Sequence, residues 1–376
     1  MIRCPAALLS AAAWCVTAGF IMQGYGTAWA VTAGSTTASE KIELQREGAA
    51  WRITITGSLP PQPLSGILAV GDLTIRGSRA GGIRYTVTQR VVGADEASVR
   101  RAAEFCRARV LNGQIAFFQP AAIRVEIPVS TPFVSVSSAM GMIDAADLNG
   151  SVRADAMAGR VMLDRVSGDV EIHSNGGPAS VGTIGGSVRC YSGGGPIRAV
   201  RIKGNAYFET NGGDIRLGEV GGEVRAFTAA GGIRIDRADA GVFADTLGGP
   251  IEIGGATAVQ SMSAAGAIHL NNVSGSLQAV TESGGIVAEL LPGGTLRDSS
   301  LSTRAGDITV WIPSNMGVTI DAECSVSQSP QPIISDFAGL RIEQRRASTV
   351  ALGKINGGGP RLRLTGVGGR IEIRRK

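Results

Sequence analysis

The sequence predicts an all-β protein, a single-stranded β-solenoid (β-helix-like) with 18-residue coils and one short inserted helix near the N-terminal end. A glycine phrase returns at a fixed interval, as GGPIRA at 194–199, GGDIRL at 212–217 and GGPIEI at 248–253, which sets Ile197, Ile215, Ile233 and Ile251 18 residues apart. A second apolar residue follows each anchor by nine positions, at Val152, Val170, Val188, Ala206, Val224 and Val242. Five residues before the anchors runs a column with a small hydroxyl at nine of ten places: Ser138, Ala156, Ser174, Ser192, Thr210, Thr228, Thr246, Ser263, Thr281 and Thr303. Such a period has no room for a helix pair. Each copy is therefore one coil, with two short strands joined by glycine-rich turns.

The chain opens with features of an export leader. Arg3 precedes an apolar run from Ala6 to Met22, and Ala28-Trp29-Ala30 supplies the small-x-small pattern of a cleavage site. Residues 1–30 are read as a signal peptide, against the competing reading of an uncleaved anchor, and 31–40 as a disordered mature N-terminus. Trp14 before Cys15 is too bulky for lipoprotein processing. No later segment is apolar enough over sufficient length to span a membrane as a helix. Three cysteines follow the leader, Cys106, Cys190 and Cys324, so at least one thiol is unpaired within a chain.

Residues 41–136 form the expected β-rich N-terminal cap. Lys41–Leu44, Trp51–Ile55 and Gly82–Val87 alternate apolar and polar residues, as half-buried strands do. A helix is predicted over 96–110, capped by Asp95, with Val99, Ala102, Ala103, Cys106 and Val110 on one stripe. Gly71-Asp72-Leu73-Thr74-Ile75 already resembles the later phrase.

The solenoid repeats are expected over 137–312. Registering backwards from Ile197 gives Ala179, Val161 and Ile143, and forwards from Ile251 gives Ile268, Ile286 and Ile308. Strand alternation turns the residues two beyond each anchor inward, so Cys190 and Phe208 belong to the core. The hydroxyl column should bond along the stack and to the turn backbone, and the following glycines should allow a positive-φ bend. The tail, 313–376, is read as wider C-terminal coils and a cap, ending in the exposed charges Arg374, Arg375 and Lys376.

The phrases Ser167–Ile172, Gly212–Ile215 and Ala305–Val310, the helix among early strands, the leader and the ending Ile355-Asn356-Gly357-Gly358-Gly359 together resemble the bacterial putative-adhesin domain family. That family is a domain of unknown function. The resemblance, over roughly residues 65 to 376, implies a single-chain β-solenoid that is exported or displayed at the cell surface, and it carries over no catalytic residues.

The residues themselves say little for catalysis or cofactors. A calcium-binding β-roll needs Gly and a ligand Asp where Ile215 and Leu217 stand. His173 and His269 lie about five coils, on the order of 25 Å, apart. No metal, cofactor or catalytic site is expected. A carbohydrate-active β-helix enzyme is the alternative, with Asp155, Glu171, Glu209 and Asp245 facing outward. The net charge of +5, spread along the chain, argues against nucleic acid. The binding candidates are the outward residues of the second strand: Arg153, His173, Arg189, Tyr191, Tyr207, Arg225, Phe227 and Phe243. In a chain with 5% aromatic residues, this face could hold sugar rings or a protein partner, unless the helix or another segment packs over it. A plainer ladder, Arg198, Arg216 and Arg234 followed by Glu252, lies on the first strand. The expected function is a non-enzymatic, adhesin-like interaction module for an envelope glycan or protein.

Overall fold

The computed structural model describes residues 39–376 apart from 61, 94, 112 and 326–328, and for Leu111 only the backbone. The signal-peptide reading of 1–30 lies outside the described residues. Ser39 and Glu40, expected in a disordered stretch, already belong to the strand Ser39–Glu47.

Alternation of apolar and polar residues divides each coil between two long sheets of 17 strands each. In the first sheet the anchors stack in parallel register: Ile143, Val161, Ala179, Ile197, Ile215, Ile233, Ile251, Ile268, Ile286 and Ile308. In the second sheet Val134, Val152, Val170, Val188, Ala206, Val224, Val242, Val259 and Leu277 do the same. Anchors and their i+2 partners from both sheets meet in one continuous core, where Ile172, Cys190, Phe208 and Ile215 are fully enclosed. The core is aliphatic because the space between facing sheets is shallow.

The hydroxyl column behaves as its position predicts. Thr228 Oγ1 donates to the carbonyl of Gly213 on the preceding coil at 2.9 Å and accepts from the amide of Gly231 on its own turn at 3.2 Å. Thr210, Thr246, Ser263, Thr281 and Thr303 repeat both bonds. The glycines have a different reason from the one expected. Gly141 and Gly159 take positive φ, but the later members of the column, such as Gly213, do not. A Cβ on Gly213 would collide with the carbonyl oxygen of Gly195 one coil away, so close stacking of turn on turn excludes any side chain.

The stack starts earlier than residue 137. Gly66–Ala69 pairs with Phe133–Ser138, and Leu73–Ser78 with Ile143–Leu148, making residues 66–78 a full coil beneath the first repeat. Gln114–Phe117 and Ala122–Pro128 form a further coil outside it. Beyond that the first sheet turns antiparallel, through Ile83–Val92, Ala50–Leu59 and Ser39–Glu47. The helix spans Glu96–Phe105, with Asp95 capping it by accepting from the Ser98 amide at 2.6 Å. It ends five residues short of the expected Val110, because Arg109–Leu111 pairs antiparallel with Gln114–Phe117 across a turn with Gly113 at φ +77°. Strand pairing there overrides helical periodicity. Val99 and Ala103 bury the helix against the outer strands Ser39–Glu47 and Ala50–Leu59.

At the other end the spatial order departs from the chain order. The last strands, Arg361–Val367 and Ile371–Arg375, insert between the coil of Ser299–Thr303 and Ile308–Ile312 and the earlier-made strands Val318–Ser325 and Ile333–Ser335. Leu340–Gln344 becomes an outer edge, paired antiparallel with Ser348–Ile355. The basic terminus is not simply solvated. Arg374 pairs with Asp336 and Glu372, Lys376 with Glu289 at 2.8 Å, and the Arg375 guanidinium lies over Phe337. Cys106, Cys190 and Cys324 are buried, and burial raises the thiol pKa of both Cys106 and Cys190.

Candidate functional site

The second sheet presents two outward rows. One runs Arg153, Glu171, Arg189, Tyr207, Arg225, Phe243, Gln260 and Gln278; the other runs Asp155, His173, Tyr191, Glu209, Phe227, Asp245 and Met262. All eight sequence-predicted binding residues therefore share one face. The helix packs elsewhere, and the aromatic residues of these rows stay partly open to solvent.

Their arrangement changes what they can do. His173 and Tyr191 stack with centroids 5.1 Å apart and planes 8° from parallel. The ladder continues diagonally through Tyr207, Phe227 and Phe243 at 5.3–5.7 Å, tilted by 40–44°. Each interior ring has ring neighbours on both sides along the ladder. The ladder chiefly braces the stack. Among the described residues Phe243, at its end, has a ring neighbour on one side only; Gln260 follows it in the same row.

Most of the acids are also committed. Arg153 pairs with Asp155 at 3.2 Å and Glu171 at 3.5 Å. Tyr207 donates its hydroxyl to Glu209 at 2.8 Å; burial first, and that bond second, push its pKa up to about 12. His173 Nδ1 lies 3.3 Å from Asp155, close enough to attract a charge yet not aligned for a hydrogen bond. Asp245 has no ion pair among the described residues, and burial raises its pKa. Asp155, Glu209 and Asp245 stand three and two coils apart in their row, on the order of 14 and 10 Å. Retaining glycoside chemistry uses a shorter separation, about 5–5.5 Å. Among the described residues no three His, Cys, Asp or Glu side chains gather as metal ligands, and no helix is long and apolar enough to cross a membrane.

Sequence reasoning missed a feature beside this face. The residue just before each second-sheet apolar position, at the turn or the first place of the strand, forms its own column: Phe133, Ser151, Asp169, Ser187, Asn205, Glu223, Gly241, Ala258, Ser276, Asp298 and Arg361. Several of these side chains cap the equivalent amide on the next coil, as Asp169 does for Ser187 at 2.7 Å and Asn205 for Glu223 at 2.9 Å. Between this column and the first outward row lies a furrow, made of four depressions that overlap in series. The one at Phe133 shares Ser187 and Arg189 with the next; that shares Glu223 and Arg225 with the third; and the third shares Ser276 and Gln278 with the fourth. The third is widest, about 470 Å³, because Gly241 and Ala258 leave the turn column without bulk. Phe243 and Gln260 line it. From Phe133 to Arg361 the furrow follows 11 stacked strands, on the order of 45–50 Å. The signal was available as a polar residue one place before five consecutive second apolar positions, from Ser151 to Glu223.

The Arg198, Arg216, Arg234 and Glu252 ladder sits on the opposite sheet in the predicted register. Arg216 is tied to Asp214, and Arg234 to Asp236 and Glu252, so most of its charge is compensated locally.

No family model matches the chain, and no curated protein does. Among solved structures, a putative cell adhesion protein from Clostridium sporogenes aligns over 90% of this chain and 100% of its own, at 11% identity and a TM-score of 0.16. A superposition that loose carries no argument. The likeness to the adhesin family rests on the repeat phrases themselves.

Proposed function

We propose that the protein is a non-enzymatic, exported, adhesin-like β-solenoid, a surface or envelope interaction module that holds an extended partner in the second-sheet furrow. The continuity of that furrow carries the reading. A row of overlapping depressions suits a long ligand lying along the stack, whereas a small-molecule site would be one enclosed concavity. The leader-like residues 1–30 support export. Attachment of the purified chain to isolated bacterial envelope tests the reading. Arg189→Ala combined with Gln260→Ala should weaken it at least about tenfold, and attachment that survives this change would remove the furrow from the function.

A carbohydrate-active enzyme is the second reading, favoured by the meeting of Asp155, Glu171 and His173 beside the depression at Phe133. Turnover of any polysaccharide that disappears when Asp155, Glu209 and Asp245 are replaced together, with folding intact, would put it first.

A further inference from the structure

The furrow carries a two-coil rhythm within its one-coil repeat. Along the outward row that forms its wall, the part from Arg153 through Glu171, Arg189, Tyr207 and Arg225 to Phe243 places a guanidinium at every second coil, before the row passes to Gln260 and Gln278. From Arg189 onward an aromatic ring fills each intervening place. Two coils advance on the order of 10 Å, close to the length of one disaccharide in an extended chain. The geometry points to a linear polysaccharide of alternating acidic and neutral sugars as the occupant, each carboxylate meeting an arginine and each neutral sugar an aromatic or amide position. This inference rests on the furrow being the binding surface and names the chemistry of what it binds.

Charge favours an anion. Five arginines and four carboxylates line the furrow; Arg153 and Arg363 are held by Asp155 and Asp321, and the four carboxylates are engaged within the protein. Glu171 faces Arg153, Glu223 faces Arg225, Asp169 accepts the Ser187 amide and Asp298 accepts the Arg361 amide. Arg189 has no acidic partner among the described residues, and Arg225 commits its Nε to Glu223, leaving its terminal nitrogens available. A guanidinium offers five donors in a fork that fits a carboxylate.

The other polymer classes fit less well. A peptide added as a strand needs an open sheet edge, and along the furrow every second-sheet strand is paired on both sides. Nucleic acid needs dense cationic contact, and here carboxylates interleave with arginines. The widest depression, with one side of the terminal ring of Phe243 clear of other rings and the Gln260 and Gln278 amides beside it, has the mixture of apolar surface and hydrogen-bonding groups that a neutral sugar takes.

Calorimetric titration of the full chain with a hyaluronan decasaccharide, an unsulfated alternating polymer of uronate and N-acetylhexosamine, tests the assignment. Neutral chitin oligosaccharide and polygalacturonate, acidic at every sugar, serve as comparisons. The expected result is binding of the alternating polymer at least about tenfold tighter than either comparison, weakened about 10- to 100-fold by Arg189→Ala and unchanged by Arg216→Ala on the opposite sheet. Because Phe243→Ala also shortens the ring ladder, Gln260→Ala is the cleaner probe of the neutral-sugar place and should weaken binding without changing its salt dependence. No binding of the alternating polymer, equal binding of the neutral oligosaccharide, or indifference to Arg189→Ala would each overturn the assignment. Envelope attachment separates the two levels: if it persists while the decasaccharide is not bound, only the glycan chemistry falls, and if it is absent, the interaction-module reading falls as well.

Discussion

Ser261 occupies an inward slot of the second sheet between Ala244 and Ala279, and its buried hydroxyl has no hydrogen-bond partner among the described residues. A buried hydroxyl without a partner loses its water and regains nothing. Ser261→Ala should therefore raise stability by about 1–2 kcal/mol, seen as a higher denaturant midpoint at unchanged slope. Asp245 poses a related conflict on the outer face, flanked along its row by Phe227 and Met262. Burial raises its pKa, so the folded chain holds this proton more tightly than the unfolded chain does. Its contribution improves as pH falls through the folded pKa and is unfavourable above it. Asp245→Asn should raise the melting temperature near neutral pH by roughly 1–3 °C, with the gain shrinking toward acid; a lower melting temperature at neutral pH would mean that the carboxylate has a favourable partner.

Within the turns, hydroxyl and glycine act as one device. From Gly195 to Gly284 each carbonyl accepts from the hydroxyl one coil on, and that hydroxyl accepts from the amide of its own turn, the last of these being Gly306. Thr228→Val keeps the shape and strands both the Gly213 carbonyl and the Gly231 amide, at a cost of about 2–4 kcal/mol in equilibrium unfolding. Gly213→Val should be worse, because a side chain there meets backbone that cannot withdraw. Replacing Arg216 with Gln on the exposed face should change stability by less than about 0.5 kcal/mol. The hydroxyl column was legible because identical chemistry recurs at a fixed spacing, and strand alternation was enough to turn Cys190 and Phe208 inward. The ring ladder was legible as a face but not as a ladder: Tyr191 and Tyr207 fall in different rows, and only the diagonal between rows shows that each has ring neighbours on both sides. The furrow escaped notice because its column changes residue type from Ser151 to Asp169 to Asn205 while keeping one role, acceptance of the next amide.

For the molecule as a whole, periodicity reveals membership of the stack and not the order of stacking. Leu73 and Ile371 carry the anchor pattern at either end of the chain, yet neither pattern says that Arg361–Val367 lies between Ser299–Thr303 and Val318–Ser325. That order is decided by pairing between distant segments, after the terminal strands have been made. The last 16 residues therefore close the stack from within, locked by Lys376 to Glu289 on one side and Arg374 to Asp336 on the other. A chain ending at Pro360 would leave strand edges open on both sides of the gap, whereas a chain starting at Gly48 loses only the outermost strand of the first sheet. Open edges recruit other chains. Light scattering after size exclusion, with thermal melting, should show the C-terminal truncation as aggregated and without a cooperative transition, and the N-terminal one as folded and destabilised. Comparable behaviour of the two would mean that Val318–Ser325 can move down to pair with Ser299–Thr303 and that the inserted strands are not needed to join the two parts of the stack.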